Sequence, residues 1–170
     1  MNPAYLHLIT NHLPVVGIPL IAVLVAWGLW RRSRDVVKVG LGLTVVVAAV
    51  TYPVFLTGER AEDVVEDRAW ANHDAIEAHE ARGKTTLIIV LITGGLAVLA
   101  LWQLRGDRPL KRTLPALVLG AMLMSSASLA WSALTGGEIR HDEIREDAIS
   151  NPATASDRSD EGDHREREER

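Results

Sequence analysis

Four stretches of this chain carry no Asp, Glu, Lys or Arg: residues 2–30, 39–58, 85–104 and 113–137. Each is as long as the roughly 20 apolar residues that a helix needs to cross a bilayer core. A buried helix of a water-soluble domain can also be apolar all round, yet a domain of 170 residues has no interior for four such helices. The expected fold is therefore all-α: a four-helix transmembrane bundle with an outer loop helix and a disordered C-terminal tail. The expected division is a membrane domain over 1–150, with spans at about 8–30, 39–57, 85–104 and 113–135, and a charged tail over 151–170.

The charges between the spans set the expected orientation. The first connection has Arg31, Arg32, Arg34 and Lys38 against Asp35, and the third has Arg105, Arg108, Lys111 and Arg112 against Asp107. Basic short loops stay on the cytoplasmic side. The second connection, residues 59–84, has eight acids and four bases, and the segment after Gly137 has twelve acids and six bases. Both are expected outside, with both termini, in a bacterial inner (plasma) membrane. Trp27, Trp30 and Trp102 then mark the inner interface and Trp131 the outer one, where indoles are favoured. All six histidines, His7, His12, His73, His79, His141 and His164, fall on the outer side.

The net charge of −4 is thus an average of a basic inner face and an acidic outer one, and gives no reason to expect nucleic-acid binding. The expected partners are the lipid bilayer, whose anionic headgroups the basic loops meet, and, in one reading, a larger membrane complex. The absence of cysteine excludes disulfides, thiolate metal sites and cysteine nucleophiles. No basic segment precedes the first span and no small-residue cleavage pattern ends it, so it reads as a retained helix. The last twenty residues, NPATASDRSDEGDHREREER, lack apolar periodicity and are expected to be disordered, with His164 solvated.

Within the spans, Asn2-Pro3 reads as an N-cap with proline at the first helical position. Pro14 and Pro19 remove backbone donors and predict a bend in the outer half of helix one. Beyond the alternation of spans and loops, no internal repeat shows.

The candidate chemistry lies on the outer side. Glu62, Glu66, His73, Glu77 and Glu80 recur at helical spacing, which predicts one acidic stripe with an imidazole on a loop helix running into span three. Carboxylates and imidazole together suit a divalent transition metal, and a solvated helix face is the alternative. His12 lies at the outer boundary among apolar residues, where a polar side chain is expensive and points to function. At 1.5 Å per residue it stands about 10 Å below His79, a difference that tilt or the proline bend can remove. Gly136-Gly137 is a turning signal that brings His141 back over the bundle, and Glu59 adds a carboxylate from span two. The candidate cofactor ligands are therefore His12, His73, His79 and His141, with Glu59, Glu66, Glu77 and Glu80 as further metal ligands. A structural latch between Arg140 or Arg145 and the acidic helix competes with this site.

At these residues the chain resembles an uncharacterised family of bacterial four-helix integral membrane proteins. The matching segments are LHLITNHLPVVG (6–17), YPVFLTGERAEDVVE (52–66), His79-Glu80 and GGEIRHDEIR (136–145). It is also distantly similar to a broader membrane-domain family whose first helix carries a histidine and a Phe-Pro or Leu-Pro step. The resemblance covers residues 1–145 and implies the four-span fold, with no activity attached.

Three functional expectations follow. One is a histidine-based site with a redox or metal-handling role, holding haem b between His12 and a loop histidine, or copper, zinc or iron with carboxylate help. Without a CxxCH motif only covalent c-type haem is excluded. The second is a non-catalytic accessory subunit of a larger membrane complex. The third, proton or solute transport, lacks a charged residue near the middle of any span. No GxSxG, HExxH or phosphate-binding glycine loop supports a hydrolytic or transferase enzyme.

Overall fold

The computed structural model describes residues 2–66, 68, 71–106 and 110–140, and these are all helix and short connection. The expected tail and His141 lie outside the described residues. In chain order the helices are α1 (Pro3–Thr10), α2 (His12–Trp30), α3 (Arg34–Val65), α4 (His73–Gln103) and α5 (Thr113–Glu138). Four helices are long and apolar enough to cross a membrane, with α1 and α2 together forming the first.

Local chemistry sets these boundaries. Asn2 caps α1 through Ala4 N at 2.9 Å, with Pro3 in the first turn, as the sequence predicts. Pro14 has no N–H to offer the carbonyl four residues back, and the helix breaks one turn earlier, at Asn11. At the other end of α2, Arg32 N bonds Leu29 O and Ser33 N bonds Gly28 O, the paired bonds of a Schellman stop. Arg32 takes the left-handed position (φ 56°) that glycine usually fills. Ser33 then caps α3, with Asp35 in the first turn.

The stripe predicted from Glu62 to Glu80 on a single helix does not form. α3 runs on to Val65 with Glu66 at its C-cap, and the chain turns before a separate helix begins at His73. Asn72 causes the restart: its side chain accepts Ala75 N–H at 2.9 Å, and Asp74 complements the positive end of the new helix. Glu62 and Glu66 therefore sit on one helix, and His73, Glu77 and Glu80 on its antiparallel neighbour. α4 continues without a break through Gly83 into the third span, as expected.

Around the bundle, α2 packs against α3 and α5, and α4 packs against the same two, while α1 lies on α3. At the centre, Val25, Val37, Leu41, Val90, Ala97 and Val118 are fully buried. The outward faces of all four spans carry large apolar side chains, which requires an apolar surrounding. Helices in such a surrounding associate through close packing and interhelical hydrogen bonds. A Cβ on Gly94 would stand 2.5 Å from Ala48 Cβ, and one on Gly40 would stand 2.6 Å from Val25 Cγ2. Hydroxyl pairs Thr86–Ser128 (2.7 Å) and Thr93–Ser125 (2.9 Å) tie α4 to α5.

The packing also reveals an internal repeat that the sequence reading missed. Shifted by 72 residues, the separation of His7 from His79, the buried positions of α2 (Pro14, Ile18, Ile21, Ala22, Val25, Gly28) fall on Thr86, Val90, Thr93, Gly94, Ala97 and Ala100 of α4. All six are buried in both helices, and the same shift carries Trp30 onto Trp102. Shifted by 78 residues, the separation of Gly58 from Gly136, the buried Val37, Gly40, Thr44 and Thr51 of α3 fall on the buried Pro115, Val118, Met122 and Leu129 of α5. The bundle is two equivalent helix pairs related by an approximate two-fold axis along its length.

Adjacent glycines test this packing. Gly94→Ala is expected to lower the thermal midpoint in detergent, an overpacking cost of about 1–3 kcal/mol. Gly95→Ala, which meets nothing within 4 Å, should leave the midpoint unchanged or raise it. Equal midpoints for the two variants would contradict the contact between α3 and α4.

Candidate cofactor site

At the end of the bundle opposite Trp27, Trp30 and Trp102, the first histidine to consider is His7, which the sequence reading counted but did not select. α1 lies on α3, and the His7 ring stands half-buried against it. His7 Nδ1 is 3.3 Å from Val54 O and 3.1 Å from Thr57 Oγ1. Thr57 donates its own hydroxyl hydrogen to Val54 O at 2.6 Å, leaving its oxygen free to accept from the imidazole. A Cβ on Gly58 would come within 3.0 Å of His7 Cε1, so the glycine lets the ring lie against the α3 backbone.

His79 repeats this arrangement on α4. Its Nδ1 is 2.9 Å from Ser132 O of α5, and Thr135 donates its hydroxyl to the same carbonyl at 2.9 Å. A Cβ on Gly136 would come within 3.0 Å of His79 Cε1. Val54, Thr57 and Gly58 on α3 are the repeat equivalents of Ser132, Thr135 and Gly136 on α5, and both helices spell Leu-Thr-Gly at the end of the motif. A recurring sequence signal was thus available: the Leu-Thr-Gly triplets at 56–58 and 134–136, matched by histidines at 7 and 79.

The two imidazoles come from helices on opposite sides of the bundle and meet at its axis, ring centroids 6.4 Å apart and planes inclined at 78°. A carbonyl oxygen can only accept, so each Nδ1 carries a hydrogen, and in the neutral ring Nε2 then keeps its lone pair. Histidines that ligate metals are commonly oriented in this way, by a hydrogen bond from the ring nitrogen that does not face the metal. No described residue forms a hydrogen bond to either Nε2.

The other sequence-predicted residues lie around this pair. His12 is exposed, its Nδ1 bonded to Leu8 O of the same chain turn at 2.7 Å. His73 is exposed at the start of α4. Glu59 is exposed directly after Gly58, Glu66 and Glu77 are exposed, and Glu62 and Glu80 are half-buried. Glu80 pairs with Lys84 at 2.7 Å, and Lys84 also interacts electrostatically with Glu59 and Glu62. Of the four histidines selected from the sequence, His79 alone is seen to meet a second imidazole, and His141 is outside the described residues. Among the described residues, no three of His, Cys, Asp and Glu converge in a group that could hold an ion. The arrangement therefore brings two imidazole rings together, each held through Nδ1.

The chain matches no family model, no curated protein and no solved structure.

The tautomer assignment is directly measurable. In ¹⁵N spectra of the cofactor-free protein at mildly alkaline pH, His7 and His79 are expected to show a protonated Nδ1 and a bare Nε2. A bare Nδ1 on either ring would contradict the carbonyl hydrogen bonds.

Proposed function

We propose that this is a multi-pass protein of the bacterial inner membrane that carries b-type haem at its outer face, with His7 and His79 as the two axial ligands and a one-electron redox role. The observation that carries the reading is the pair of imidazoles on the bundle axis, each fixed through Nδ1 and neither bonded at Nε2 by a described residue.

Two metal–nitrogen bonds of about 2 Å, with each ring centre a further bond length behind its nitrogen, put imidazole centroids roughly 6 Å apart across one metal. The observed 6.4 Å matches that spacing. A zinc site usually takes three or four protein ligands, whereas haem iron asks the protein only for axial ones. Two imidazoles thus form a complete axial set for haem and half a set for zinc. When bound, haem supplies a reversible one-electron couple, and this chain holds and orients its ligands. The repeat makes the two positions equivalent, so His7 and His79 would hold the group alike, each oriented through Nδ1 by a backbone carbonyl.

The ligand on the first helix is then His7 in place of the expected His12. The outward orientation rests on the loop charges: Arg31, Arg32, Lys38, Arg105, Lys111 and Arg112 lie at the end remote from the histidine pair.

The test is haem retention after expression with haem supply and purification in mild detergent, read by pyridine haemochrome and a reduced-minus-oxidised spectrum. The wild type should hold one haem per chain, His7→Ala and His79→Ala should each lose it, and His12→Ala and His73→Ala should keep it. A colourless wild type, or haem kept by both His7→Ala and His79→Ala, would sink the proposal. A stoichiometric metal found by elemental analysis and lost in the same two variants would replace haem with an ion at the same ligands.

A further inference from the structure

The tryptophan end of the bundle breaks the repeat in one place. At the start of α3, the Arg34 guanidinium donates to Leu104 O at 2.7 Å and to Gly106 O, clasping the end of α4. The 78-residue shift places Arg112 at the equivalent position, at the start of α5, the helix that packs against α2. Arg112 makes no such clasp: it is exposed, and no described carboxylate pairs with it. The end of α2 offers a second guanidinium, that of Arg31, which no described carboxylate pairs with and which lies 5.9 Å from the Trp27 ring centre. Trp27 and Trp30 stack edge to face at 5.2 Å and are 52% and 72% exposed.

We propose that the seam between the end of α2 and the start of α5 binds the phosphate of an anionic phospholipid headgroup, held by Arg31 and Arg112. A guanidinium fork matches phosphate oxygens in pairs, and basic pockets between spans recognise anionic headgroups. The indoles of Trp27 and Trp30 sit beside these guanidiniums, at the depth where hydrocarbon gives way to headgroups. Where Arg34 turns one guanidinium nitrogen to two backbone carbonyls, its repeat partner Arg112 keeps its donors for a ligand. A zwitterionic headgroup brings its own cation against two guanidiniums, so the seam discriminates by charge. The inference is independent of the cofactor reading, since neither end shares a residue with the other.

The test reconstitutes the full chain in phosphatidylcholine vesicles and titrates either brominated phosphatidylglycerol or brominated phosphatidylcholine as a tryptophan quencher. The wild type should be quenched by the anionic lipid at a membrane fraction about 5-fold lower than by the zwitterionic one, as expected for a surface cation contributing a factor of about 5. Arg31→Gln combined with Arg112→Gln should bring the two quenchers to equality, and Arg60→Gln at the opposite end should leave the preference intact. Equal quenching in the wild type, which needs no variant, or an unchanged preference in the double variant would overturn the proposal.

Discussion

In a bundle with an apolar exterior, no hydrophobic gradient draws one helix to the next, so the distances that small residues permit set the rest of the geometry. α3 meets α4 where Gly94 faces Ala48, and meets α2 where Gly40 faces Val25. These contacts fix the spacing of the neighbours, and the spacing carries up to the histidine end, where Gly58 and Gly136 do the same for imidazole rings. A ring resting on a helix backbone is held in angle as well as position. That is why a pair of histidines on opposite helices can meet at the axis with both Nδ1 groups already committed.

The two ends of the bundle are chemically distinct, and the layers between them are inert. At one end are two imidazoles among carboxylates, and at the other a set of exposed guanidiniums and indoles. Between them, Val25, Leu41, Val90, Ala97 and Val118 offer no titratable or redox-active group. On the proposed reading, a haem at the histidine end would exchange electrons on its own side of the bundle, and the opposite end would serve anchoring and orientation.

The fold was legible because charge-free length is a strong signal: all four spans follow from the placement of Asp, Glu, Lys and Arg. The interruption of the first helix at Asn11 followed from Pro14, and the cap of α1 from Asn2-Pro3. The acidic stripe went wrong because helical periodicity was read across a turn, while Asn72 and Asp74, a cap and a first-turn acid, already announced a new helix. His12 drew attention through its apolar neighbours, which measure membrane depth and say nothing of which way a side chain points. His7 is one turn and a half earlier, and its partners, Val54 and Thr57, lie about fifty residues away in sequence. The repeat escaped notice because the two shifts differ by six residues and few identities survive; its mark is in which positions are buried.

The central claim is that His7 and His79 meet at the bundle axis. Because the chain has no cysteine, His7→Cys with His79→Cys supplies the sole pair of thiols. With a protease site placed between α3 and α4, a short bifunctional thiol reagent should keep the two halves joined after cleavage. The account predicts that joining, and its absence in His12→Cys with His79→Cys; halves that separate in the first variant and stay together in the second would contradict it.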